Sequence, residues 1–145
     1  MTTDATTGER QSRNASIMSE LRANGGRLGS GQVLVIVTTV GVRTGREFET
    51  PMCVREDGDD LIVAASAGGQ PRHPQWYPNL VAHPEVGVEY LGESFRATAA
   101  TVTNGPDRDR LFHLLSEEIT GLYGYQDRCR NDRQIPLVRL TRAAG

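Results

Sequence analysis

Apolar positions along this chain fall mainly in short β-branched runs separated by turn residues, and few stretches show helical spacing. Ile17 and Leu21 stand four apart ahead of Asn24-Gly25-Gly26, which predicts a short helix with a glycine stop. "QVLVIVTTV", residues 32–40, predicts a well-buried strand. "GVRTG" supplies a glycine-bounded, five-residue connection to a second extended segment, "REFETPMCVRED". Pro51 weakens or bulges that segment, because proline cannot donate to a central ladder. The turn "EDGDD" leads to "LIVAAS", residues 61–66, a third buried strand. His73-Pro74 predicts a short helix with Pro74 at its first position, ended before Pro84. "EVGVEYLG" and "ESFRATAATVT" form another hairpin around Gly92. Asn104-Gly105-Pro106-Asp107 starts a helix carrying Leu111, Leu115 and Ile119 at four-residue spacing. "GLYGYQDRCRNDRQ" reads as a polar, aromatic loop or broken helix, and "IPLVRLT" closes the chain as a sixth strand. Half a dozen hairpin-linked strands with three short helices predict an α+β, mainly β architecture: a small antiparallel barrel with short flanking helices.

Size and charge narrow the classes. The 145 residues suit one domain, expected over residues 16–145 behind a flexible N-terminal arm, residues 1–15, rich in small and polar residues. A net charge of −2 gives no global field for nucleic acid. All 16 basic residues are arginine, so lysine Schiff bases and Walker-type phosphate loops are excluded, and guanidinium forks remain for anions. No glycine fingerprint opens a βαβ unit, which excludes a Rossmann domain. Cys53 and Cys129 lie far apart with no metal-like spacing, no apolar run reaches the roughly 20 residues of a membrane span, and no secretory signal is visible. A cytoplasmic chain with reduced thiols is expected, with peripheral membrane contact allowed.

Few side chains announce chemistry on their own. His73, His83 and His113 are too widely spaced to form a metal site without carboxylates from elsewhere, so no metal is expected. Ser66 and His73 can be paired as nucleophile and base, but no G-x-S-x-G elbow supports it. Arg43, Arg46 and Arg55 flank a glycine-rich turn that can cradle a phosphate or simply be solvated. Trp76 and Tyr77 suit a core or an interface. Tyr123 and Tyr125 can bind a substrate or cap the barrel mouth.

Taken in order, T-T-x-G-x-x-(S/T)-G at residues 38–45, S-x-G-G-x-x-x-H-P-x-W-x-x-N-L at residues 66–80, "HPEVGVEY" and "YQDRCRNDRQIPLVRL" resemble the deazaflavin (F420)-dependent nitroreductase family of actinobacteria, over about Gly31 to Leu140. The resemblance implies a split β-barrel of the flavin reductase-like kind. It also implies transfer of a hydride from reduced F420 to an electron-poor acceptor, such as a quinone, nitro compound or enone. Cofactor contacts are implied at Arg43, Thr44, Gly45, Arg46, Thr50, Pro51 and Met52, then at Ser66, Ala67, Gly68, Gly69, Arg72, His73, Pro74 and Trp76. Ser66 and Tyr125 are the implied catalytic hydroxyls; Trp76, Tyr123 and Tyr125 would face an apolar small-molecule substrate, and Asn79 would brace the turn. A monomer or a homodimer is consistent with the family. Val42, Phe48 and Ala67 replace three cations that the family pattern carries, with Glu47 and Glu49 beside Phe48. Arg72 is the expected replacement, with Arg43, Arg46 or Arg55 as others. A chain that uses FMN instead, or uses no redox cofactor and holds an apolar ligand or biosynthetic intermediate, is the other reading of those departures.

Overall fold

In the computed structural model, which describes residues 7–143, the valine-rich run forms β1 (Leu34–Val40), one strand in from the edge of a seven-stranded antiparallel sheet. In chain order the elements are α1 (Thr7–Ala23), β1, β2 (Glu47–Cys53), β3 (Arg55–Asp57), β4 (Asp60–Ala64) and a single 3₁₀ turn (Ala67–Gly69). Then follow α2 (Trp76–Ala82), β5 (Glu85–Tyr90), β6 (Glu93–Thr101), α3 (Pro106–Ser116), α4 (Leu122–Cys129) and β7 (Leu137–Arg142). The strand order is β2-β1-β5-β6-β7-β4-β3. Its two edge strands, β2 and β3, are consecutive in the chain and separated only by Val54. A sheet whose opposite edges are one residue apart has to curl until they meet, and the result is an incompletely closed barrel.

Val35, Val37, Val63, Val86, Val88, Val138 and Leu140 fill the barrel, with Val54 at the seam and Leu80 of α2 among them. On the outer side, Met18 and Leu21 of α1 cover Leu34 and Ile36. Leu111 and Leu115 of α3, with Leu122 of α4, cover Ile62 and Leu137. β1 and β4 are therefore buried on both faces, which is why they read as continuous apolar runs rather than alternating ones.

Several expectations are revised. The second extended segment is two strands, so seven strands form, because Val54 turns inward between β2 and β3. The connection between β1 and β2 spans six residues, 41–46, closed by Gly41 N–H to Arg46 O. Pro51 does not interrupt a central ladder, because β2 is an edge strand. The polar, aromatic segment is helical as α4, so there are four helices; Leu122 and Cys129 are its only fully buried side chains, too sparse a stripe to read. Residues 7–15, expected within the arm, are the opening turns of α1, whose residues 8–13 are all exposed and carry no apolar periodicity. Residues 1–6 of that arm lie outside the described residues. Among the described residues, no helix is long and apolar enough to cross a membrane.

Candidate functional site

After β4 the backbone makes three consecutive left-handed steps: Ala67 at φ 46°, Gly68 at 63° and Gly69 at 80°. Gly69 N–H returns to Ser66 O and Gln70 N–H to Ala67 O, whereas the N–H groups of Ala67 and Gly68 have no acceptor among the described residues. The two glycines serve different purposes. A Cβ on Gly68 would meet nothing within 4 Å, so this face of the loop is open. A Cβ on Gly69 would lie 2.9 Å from Cα and O of Tyr125, so here the loop backbone docks directly on α4.

Two arginines from the far end of the chain hold this loop. Arg133 donates to Ala65 O (2.9 Å), Ser66 O (2.8 Å) and Gln70 O (2.9 Å), and its Nη1 lies 3.1 Å from Nδ1 of His73. Arg128 donates to Gly68 O at 2.9 Å. Partial burial, then the neighbouring Arg133 charge, hold the His73 imidazole below its usual pKa. A neutral His73 accepts at Nδ1 from Arg133, so that nitrogen is not available as a base for Ser66. The Ser66 hydroxyl itself has no hydrogen-bond partner among the described residues.

The second half of the site lies along β2. Phe48, Thr50 and Met52 pair across from Thr39, Val37 and Val35, which places them on the barrel-facing side. Pro51 pairs with Ile36 and so faces α1, away from its neighbours Thr50 and Met52. Asn79 is 1% exposed, and its Oδ1 accepts from Val42 N–H (3.4 Å) and Gln75 Nε2 (3.1 Å) while Nδ2 donates to Thr39 Oγ1 (3.4 Å). That amide ties the hairpin loop to α2 and β1. The loop, Phe48 and the start of α2 line an open groove of about 540 Å³, to which Val42, Arg43 and Thr44 contribute. A second cavity, of about 430 Å³, lies against Ala67–Pro71 with Arg128 and Asp132. The segment between the two carries His73, Pro74 and Trp76; Trp76 packs on the barrel core and meets Tyr77 edge-on, and Tyr77 in turn meets His73. Arg43 and Arg72 hold no hydrogen bond or ion pair among the described residues, and Arg46 stacks over Phe48 at 5.6 Å.

Not every named residue joins this constellation. Arg55 is 3.6 Å from both Glu117 and Glu118 and reaches Leu114 O, so it braces α3 rather than the turn. Tyr123 meets Phe112 edge-on and its hydroxyl lies 3.2 Å from His113 Nδ1, in a different cavity between α3 and α4. Tyr125 reaches the glycine loop through its backbone, while its ring turns back over Gly121. No group of three or more metal-ligating side chains occurs among the described residues. Arg128 and Arg133 escaped the sequence reading because their acceptors are 60 or more positions away; the density of arginine in "DRCRNDR" is the only local sign.

The model of a protein family described as F420H(2)-dependent quinone reductase matches residues 10–142. An F420H(2)-dependent quinone reductase of Mycobacterium tuberculosis is 37% identical over 110 residues, which cover 74% of this chain and 72% of that protein. A solved structure described as an F420-H2 dependent reductase superposes with a TM-score of 0.66 at 30% identity, covering 74% of this chain and 92% of that one. A second, described as a domain-swapped dimer, gives 0.66 at 26% identity and covers 93% and 99% of the two chains. With the motif order and the curled sheet in agreement, this chain belongs to the F420H(2)-dependent quinone reductase family.

Proposed function

We propose that this protein is an oxidoreductase that uses reduced F420 to reduce a quinone-type acceptor across the two cavities joined by residues 66–79. The observation that carries the reading is the open left-handed loop at Ala67–Gly69, with two uncommitted N–H groups and bare space over Gly68. Such a loop suits a flat ring joined to an anionic tail. Successive N–H groups in a left-handed turn attract an anion, and a glycine lets a ring approach the backbone closely. Arg43 and Arg128 bring guanidinium groups to the two cavities, and Arg72 stands in the segment between them. Where the family pattern has a lysine, Ala67 carries no charge, but Arg128 brings one to the adjacent carbonyl from α4. The residues present therefore fit the cofactor. The contacts proposed for its ring are Thr50, Met52, Ser66 and Trp76.

When bound, reduced F420 supplies the hydride, and the protein's task is to bind, orient and keep out water. Ser66 Oγ, uncommitted beside the loop, donates a hydrogen bond to the acceptor's oxygen as the hydride's charge develops there, and the proton that completes the reduction comes from solvent. Val42 and Phe48, exposed at 50% and 37%, replace cations with an apolar lip suited to the acceptor's ring.

The test is oxidation of reduced F420 by a benzoquinone in the presence of the purified chain. Catalysed oxidation is expected, with kcat falling about tenfold or more in Ser66→Ala, a larger change than the loss of cofactor affinity read by Trp76 quenching. Arg128→Ala is expected to weaken that affinity about tenfold or more, by loss of a charge-assisted contact. No quenching at tens of micromolar cofactor, or no rate above buffer, would overturn the reading.

A further inference from the structure

Between α3, α4 and the approach to β7 lies a cavity of about 560 Å³ that the reaction above does not use. Three arginines reach it: Arg108, Arg130 and Arg133. Arg130 is paired with Asp127. Arg108 is not paired, although it is only 7% exposed; it donates to Ile135 O and lies 5.3 Å from the centre of the Phe112 ring, and no carboxylate among the described residues comes within ion-pair distance. Arg133 spends its donors on three backbone carbonyls and His73, and likewise meets no carboxylate. Asp109 is the one acidic residue lining the cavity, and it forms no ion pair with either arginine. Guanidinium groups stay charged at any accessible pH. A buried charge normally meets its opposite, because desolvation is otherwise uncompensated. Arg108 is such a group, the half-buried Arg133 adds a second positive charge to the same cavity, and Asp109 at its wall is the single carboxylate set against them.

The opposite chemistry stands beside them. Tyr123 is 55% exposed and edge-on to Phe112 at 4.9 Å, and its hydroxyl is anchored 3.2 Å from His113 Nδ1. An exposed ring held in a fixed plane offers a flat apolar wall. The volume lies within the range of small-ligand pockets. We propose that this cavity binds a planar organic anion, an aromatic carboxylate whose charge meets Arg108 and Arg133 and whose ring lies against Tyr123.

The experiment titrates the full chain, free of cofactor, with naphthoate by calorimetry and maps the contact by NMR. Saturable binding is expected, perturbing Tyr123 and Arg108, and at least about tenfold tighter than either the neutral alcohol naphthalenemethanol or acetate. Tyr123→Ala should lower naphthoate affinity about tenfold, and Arg108→Gln should remove the preference for acid over alcohol. If Arg108→Gln does not fold, the comparison of acid with alcohol on the native chain decides the charge requirement. Equal affinity for acid and alcohol, acetate binding as tightly as naphthoate, perturbations confined to another face, or no saturation would each overturn the proposal.

Discussion

Arg133 is the residue on which the glycine loop depends most directly. One guanidinium satisfies three carbonyls at positions 65, 66 and 70 and also meets His73, so four points along a left-handed turn share one anchor. Buried carbonyls need donors, and a planar fork with five N–H groups can serve several at once. The contact makes the loop sensitive to acid. His73 has its pKa held below the ordinary 6.5 by burial and by Arg133, so the folded state favours the neutral ring. That contribution is complete above the ordinary value and is lost as pH falls through it toward the lowered one. Denaturant unfolding should therefore show stability declining as pH falls below the ordinary 6.5, with part of the decline absent in His73→Gln. An equal decline in both proteins would exclude the His73 contact as its source. His73 was legible as a motif residue; its partner was not, because nothing near position 133 advertises a loop 60 residues earlier.

At the scale of elements, the contact between the glycine loop and α4 separates two neighbouring glycines that look alike in the sequence. Both have positive φ, yet Gly69 faces backbone at 2.9 Å and Gly68 faces open space. Gly69→Ala should lose roughly 2–4 kcal/mol, through strain plus displacement of α4. Gly68→Ala should lose about 1 kcal/mol from φ alone, but should weaken cofactor affinity because its methyl enters the open face. Urea midpoints and Trp76 quenching distinguish the two. Comparable losses of stability would mean that the loop is not docked as described. The strands and turns that frame this loop were legible, since β-branched runs and Gly-Asp punctuation act locally. α4 was not, since Arg128, Arg133 and a backbone contact hold it rather than a broad apolar stripe.

For the whole molecule, the decisive feature is the seam at Val54, where the first and last strands of the sheet become one continuous segment. Val54 is 5% exposed among barrel residues. Val54→Ala should destabilise by about 2 kcal/mol, combining lost burial with a cavity. The matched control is Val42→Ala, a valine exposed at 50%, which should change stability by less than about 0.5 kcal/mol. Equal effects on thermal unfolding would contradict closure through Val54.

By itself the sequence determined the antiparallel, barrel-forming character of this chain, the positions of its turns, and through its ordered motifs the family to which it belongs. Those properties rest on interactions between near neighbours: alternation, glycine and proline geometry, and fixed spacing within one loop. Only the tertiary structure decided that residues 47–57 supply both edges of the sheet, that Arg55 and Tyr123 stand away from the candidate site, and that Arg128 and Arg133 belong to it. Each of those depends on residues brought together across tens of positions by curling of the sheet, a packing outcome that local pattern does not encode.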